Sequence, residues 1–130
     1  MMRIRGTLLK FDTGNLGGSW FPKDCILHIS EPLPISDNFH EQIGLADIVE
    51  RTDGGIIIEG DIQDARYEDL IKAGLEKGLG LGGFYNRIKD HYDENGYRVI
   101  DEASLKECGI TSSPVNKDYT FEILEEANDG

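Results

Sequence analysis

Three histidines, two cysteines and one glycine-rich stretch are the parts of this 130-residue chain whose types and spacing bear on chemistry. His28, His40 and His91 carry the imidazoles, the side chains that exchange protons near neutral pH. No two of them stand four residues apart, the spacing at which one helix face presents a pair of ligands, so no metal centre is expected. Cys25 and Cys108 are far apart and lack the close pairing of a zinc site. Such sparse cysteine usage suits a reducing compartment. Gly78-Leu79-Gly80-Leu81-Gly82-Gly83-Phe84 has the glycine density of a phosphate loop but not its Gly-Lys-Ser/Thr ending. Its glycines read instead as points of close backbone approach between strands, and no cofactor is expected.

The elements that must position these groups fill about one domain with a modest core. Hydrophobic residues make up 38% and charged residues 29%, as in ordinary globular proteins. Net charge is −12, which repels nucleic acid and anionic membrane and leaves a basic protein surface as a compatible partner. The same charge also serves plain solubility. The first residues hold two arginines without a long apolar run behind them, so neither a signal peptide nor a membrane span is expected, and an intracellular product is.

Alternating apolar residues predict a strand over 3–11, followed by a Gly/Asn/Asp loop over 12–18. In 20–29, Phe21, Ile26, Leu27 and Ile29 are expected to be buried. Pro32 and Pro34 argue against a central strand or a helix interior over 31–38. Asp53-Gly54 between two apolar runs predicts a hairpin of 43–50 with 56–62, and Ile56-Ile57-Ile58 suits a strand buried on both faces. Helical spacing of Tyr67, Leu70, Ile71 and Leu75 predicts a helix over 64–77, stopped by Gly78. Strands follow over 79–88, 97–100, 105–111 and 119–124, with an Asp-Glu-Asn-Gly turn before Tyr97. The fold class is α+β: a mostly antiparallel, barrel-like sheet with one main helix. Residues 1–124 form a single domain and 125–130 an acidic C-terminal tail. The expected core is Leu8, Ile43, Leu45, Ile48, Ile56, Ile58, Leu70, Ile71, Leu75, Leu81, Phe84, Val99, Ile110 and Phe121.

Three landmarks then occur in order. Phe39-His40 precedes Ile43-Gly44 and the hairpin ending in Gly55-Ile56-Ile57-Ile58-Glu59-Gly60. Asp69-Leu70-Ile71-Lys72-Ala73-Gly74 leads into the stretch from Gly78 to Phe84. Leu105-Lys106-Glu107-Cys108-Gly109-Ile110-Thr111-Ser112-Ser113-Pro114-Val115-Asn116 closes the series. From about Ile4 to Tyr119 the chain resembles the head maturation (prohead) proteases of tailed bacteriophages, which share a fold with herpesvirus assembly proteases.

The resemblance implies that His40 stands where the family has its general base and Glu107 where an acidic residue orients it. It implies a nucleophilic serine two residues before a glycine, and that position is Leu81, with Gly83-Phe84 matching the end of the motif. Without a hydroxyl or thiol, acyl transfer has no nucleophile. The implied product is a catalytically inactive, protease-like head protein that binds capsid or scaffold subunits as a decoration, cement or assembly factor. It would act in multiple copies on a symmetric shell, in the host cytoplasm during assembly and then in the virion head. Trp20 and Phe21 are the interface candidates, or else core anchors. Two alternatives stay open. One is an active maturation protease in which Ser112, Ser113 or Cys108 replaces the missing serine. The other is an unrelated small β-rich binding domain, with His40 a solvated turn residue.

Overall fold

The computed structural model describes residues 1–126, in which nine strands and one helix follow in chain order. They are β1 (Met2–Lys10), β2 (Ser19–Trp20), β3 (Ile26–Ile29), β4 (Leu33–Asp37), β5 (Glu41–Arg51), β6 (Gly55–Ile62), α1 (Glu68–Leu75), β7 (Gly80–Tyr92), β8 (Arg98–Thr111) and β9 (Phe121–Glu126).

The two hairpins read from the sequence form where turn chemistry puts them. Between β5 and β6, the Gly54 and Gly55 amides donate to Thr52 Oγ1 at 3.2 and 3.1 Å, which turns the chain back on itself. Between β7 and β8, the Asn95 and Tyr97 amides donate to Asp93 Oδ1 at 2.9 Å, and Gly96 supplies a φ of +85°. Further along, 97–100 and 105–111 are not two strands. They belong to one continuous β8 of 14 residues, held along its whole length by β7.

β8 organises the molecule. On one edge it pairs antiparallel with β7 from Gly80↔Thr111 to Tyr92↔Arg98. On its other edge β2, β3 and β4 lie parallel to it in succession. The sheet is therefore mostly antiparallel, as expected, with its parallel pairings gathered on one edge of β8. From β4 it continues antiparallel through β5, β6 and β1 to β9. It then curls into a half-barrel: Thr120 O accepts from the Thr7 amide and Tyr119 O from the Leu81 amide, both at 2.9 Å, so the segment before β9 bridges β1 and β7.

β4 corrects the expectation that Pro34 keeps 31–38 out of the sheet's interior. β4 lies between β5 and β8, but Pro34 pairs with β5 alone, and the β8 ladder begins one residue later at Ile35↔Cys108. The missing N–H costs no ladder bond to β8 there. β6 corrects the reading of a strand buried on both faces. Ile56, Ile58 and Ile62 are fully buried, whereas Ile57, Glu59 and Asp61 are half-buried on the opposite face among the charges of Arg3 and Arg5.

The helix is shorter than 64–77. Asp64 accepts from the Arg66 amide and opens a single 3-10 turn, Ala65–Tyr67, before α1. Only a narrow stripe at four-residue spacing, Tyr67, Ile71 and Leu75, packs on the core; Leu70 is 65% exposed. Gly78, at φ +88°, ends the segment as expected.

Leu8, Ile43, Ile56, Ile58, Ile71, Leu81, Ile110 and Phe121 are buried, as the sequence predicts. Leu45, Ile48, Leu75 and Val99 are half-buried. Phe84 and Ile26 are exposed because each lies on the outer face of its strand. Glu125 and Glu126 pair with β1, so they belong to the sheet and not to an acidic tail; 127–130 lies outside the described residues. Among the described residues no helix is long and apolar enough to cross a membrane.

Candidate functional site

The stretch Gly80 to Phe84 starts β7 and pairs with the end of β8: Leu81↔Ile110, Gly82↔Gly109, Gly83↔Cys108 and Phe84↔Glu107. Strand alternation turns Leu81, Gly83 and Tyr85 inward and Gly82 and Phe84 outward. Leu81 is fully buried, and its amide donates to Tyr119 O. A methyl-sized group on Gly6 would come within 2.8 Å of the Leu81 side chain, so β1 packs directly on it. At the position where the resemblance calls for a nucleophile, the structure has a core residue.

The turn between β4 and β5 carries His40. It is fixed by three backbone donations: Asn38 to Ile110 O at 2.9 Å, Phe39 to Ser36 Oγ at 3.1 Å and His40 to Asp37 O at 3.0 Å. Asn38 and Phe39 both have positive φ, +48° and +66°. This left-handed pair swings Phe39, rather than His40, onto the β7–β8 surface. A Cβ on Gly109 would lie 2.6 Å from the Phe39 ring and one on Gly82 3.5 Å from it. The glycines thus make room for a ring. Close backbone approach, the role read from the sequence, holds at Gly80, where a Cβ would meet Tyr119 O at 2.4 Å. Phe39 also lies against Phe84, with ring centroids 6.1 Å apart, and both rings stay partly in solvent, 38% and 47% exposed.

His40 is exposed, and among the described residues its imidazole makes no hydrogen bond or ion pair. Glu107 is half-buried opposite Phe84 and makes no contact with it of that kind either. The two sit at the same end of the sheet without being brought together. Cys108 is fully buried between Gly83 and Ile35 on the neighbouring strands. Burial, with Glu107 adding to it, pushes its thiol up to about 12, so the reactive thiolate is absent near neutral pH. Ser112 and Ser113 are exposed just beyond β8; the Ser113 amide donates to Thr111 Oγ1. The His28 and His91 imidazoles hydrogen-bond with Glu102 and Asp101 on the β8 ribbon, at 2.8 and 2.6 Å, away from this turn. No cluster of three metal-binding side chains occurs among the described residues.

Beside Gly82 and Gly83 opens a groove of about 340 Å³. Phe21, Tyr85 and Tyr119 wall its inner side, Phe39, Phe84 and Val115 its outer side, and Arg87 and Ser113 also line it. Phe21, an interface candidate or else a core anchor by sequence, is buried as a core anchor, with its ring 4.9 Å from that of Tyr85. Its place one residue beyond β2 turns it into the core. Trp20 is half-buried and meets Tyr97 edge-on at 5.5 Å. Tyr85 folds back over Gly83, where a Cβ would lie 2.5 Å from its ring. Its hydroxyl is sealed from solvent and has no hydrogen-bond partner among the described residues. Burial holds this phenol well above its ordinary range, so it remains a donor at every physiological pH.

Sequence reasoning missed Phe39, Tyr85 and Arg87. The usable signal was the glycine pair Gly82-Gly83 next to two aromatic residues, because glycines inside a strand invite rings as well as backbones. Compared with known proteins, the chain matches no family model, and none of the curated proteins matches it.

Proposed function

We propose that this chain is a catalytically inactive, protease-like phage head protein that binds capsid subunits as a decoration, cement or assembly factor. One observation carries the reading: the motif position for the nucleophile holds a fully buried leucine, while the groove beside it stays open and aromatic-walled. Hydrolysis requires a hydroxyl or thiol within hydrogen-bond reach of an imidazole. His40 has no such partner among the described residues, and Cys108 is locked as a thiol. Binding requires only surface and shape. Phe39, Phe84 and Val115 offer exposed apolar area at the groove, the kind of surface that marks an interaction site. Many copies on a symmetric shell would add avidity to modest single contacts.

A second reading has one observation in its favour. Ser113 lines the groove, and in an active protease it would be the hydroxyl to serve. The two readings separate when the purified chain is sedimented with proheads and with mature heads of the phage that encodes it. Stoichiometric retention on either particle, unaffected by Ser113→Ala, is the expected result. Absence from both particles would overturn the binding reading.

A further inference from the structure

The groove has a chemical bias that the chain as a whole does not share. The chain carries 25 acidic residues against 13 basic ones, yet no carboxylate lines the groove. Its one charged lining residue is Arg87, which is exposed and forms no ion pair among the described residues. The remainder of the lining is aromatic, aliphatic or uncharged polar, and its volume of about 340 Å³ suits one large apolar side chain with its flanking backbone.

We infer that the groove recognises a segment of the protein partner in which a large apolar residue is followed or preceded by Asp or Glu. The apolar side chain seats between Phe21, Tyr85 and Phe84, and the carboxylate pairs with Arg87. An arginine at an apolar rim favours such a pair because its planar fork matches a carboxylate's two oxygens. A chain at net −12 repels acidic segments in general, so capture of one would depend on its pairing with Arg87. This inference rests on the reading of the chain as a binding protein and adds the chemistry of what it binds.

The probe is an array of overlapping nonapeptides covering the capsid and scaffold proteins of the same phage, read beside sedimentation with whole heads. Wild-type chain is expected to capture peptides with adjacent apolar and acidic residues. Arg87→Glu should weaken that capture at least about tenfold, Arg87→Lys should retain part of it, and Phe84→Ala should weaken it with Arg87 in place. Both sites are exposed, and an unchanged melting temperature excludes misfolding as the cause. Capture of only basic or neutral peptides, or capture indifferent to Arg87→Glu, would overturn the inference. Head binding without capture of any peptide would overturn it too, while sparing the binding reading. Loss of both head binding and peptide capture would overturn both.

Discussion

Leu81 and Cys108 decide the chemistry at the scale of single residues. A leucine with no exposed surface, packed by Gly6 and Ile110, contributes about 1.5–3 kcal/mol through burial alone. Leu81→Ser leaves both a cavity and a hydroxyl inside the core. It is expected to cost about 2–5 kcal/mol by denaturant titration and to confer no hydrolysis. Efficient cleavage of capsid precursor by that variant would mean that a complete site surrounds the position. Cys108 gives a pH prediction. Its folded pKa is raised from 9.0 to about 12, so above 9 the unfolded chain ionises while the folded one does not. Stability should therefore fall as pH rises through that window, by on the order of 1 kcal/mol per unit from this thiol. At pH 8 a thiol reagent should label Cys108 only at the rate of unfolding. Rapid labelling of native protein would contradict its burial.

Among the elements, the long β8 and the two hairpin turns, β5–β6 and β7–β8, do the positioning. The turns were legible: Asp53-Gly54 and Asn95-Gly96 carry their own chemistry, and Gly78 stops the helix. Gly78→Ala should cost about 1 kcal/mol, because only its +88° φ opposes a side chain; the space around it is open. What was not legible depends on partners distant in sequence. Pro34 sits in an interior strand because β8 begins its pairing one residue later, a register that no local pattern encodes. Phe84 and Leu70 are apolar yet exposed, since strand and helix phase fix their direction and composition does not. The site itself was half visible. The motif order pointed to Leu81 and to the end of β8, but the left-handed Asn38-Phe39 pair that lays Phe39 on the β7–β8 surface and leaves His40 in solvent had no signal in the sequence.

Arg3 ties β1 to β5 and β6 through Asp47, Glu59 and Asp61, at 2.8, 2.9 and 3.2 Å. Its guanidinium hydrogen bond holds the Asp47 carboxyl below the ordinary value of 3.8. That contribution is complete above the ordinary value and is lost as pH falls through the lowered one. Arg3→Ala should therefore destabilise by roughly 1 kcal/mol or less at neutral pH, given the solvent screening, and by less in acid. An effect that grows in acid would contradict the assignment.

For the whole molecule, the curled sheet presents a groove with an exposed aromatic rim beside a fully buried Leu81. On the proposed reading, Arg87 at the groove of a chain at net −12 favours selective over broad binding. The most direct measurement is to incubate the purified chain with proheads containing uncleaved capsid precursor, then assay both the pellet and the precursor's length. The chain should sediment with the particles and leave the precursor intact. Specific cleavage of the precursor that disappears in His40→Ala would contradict the account.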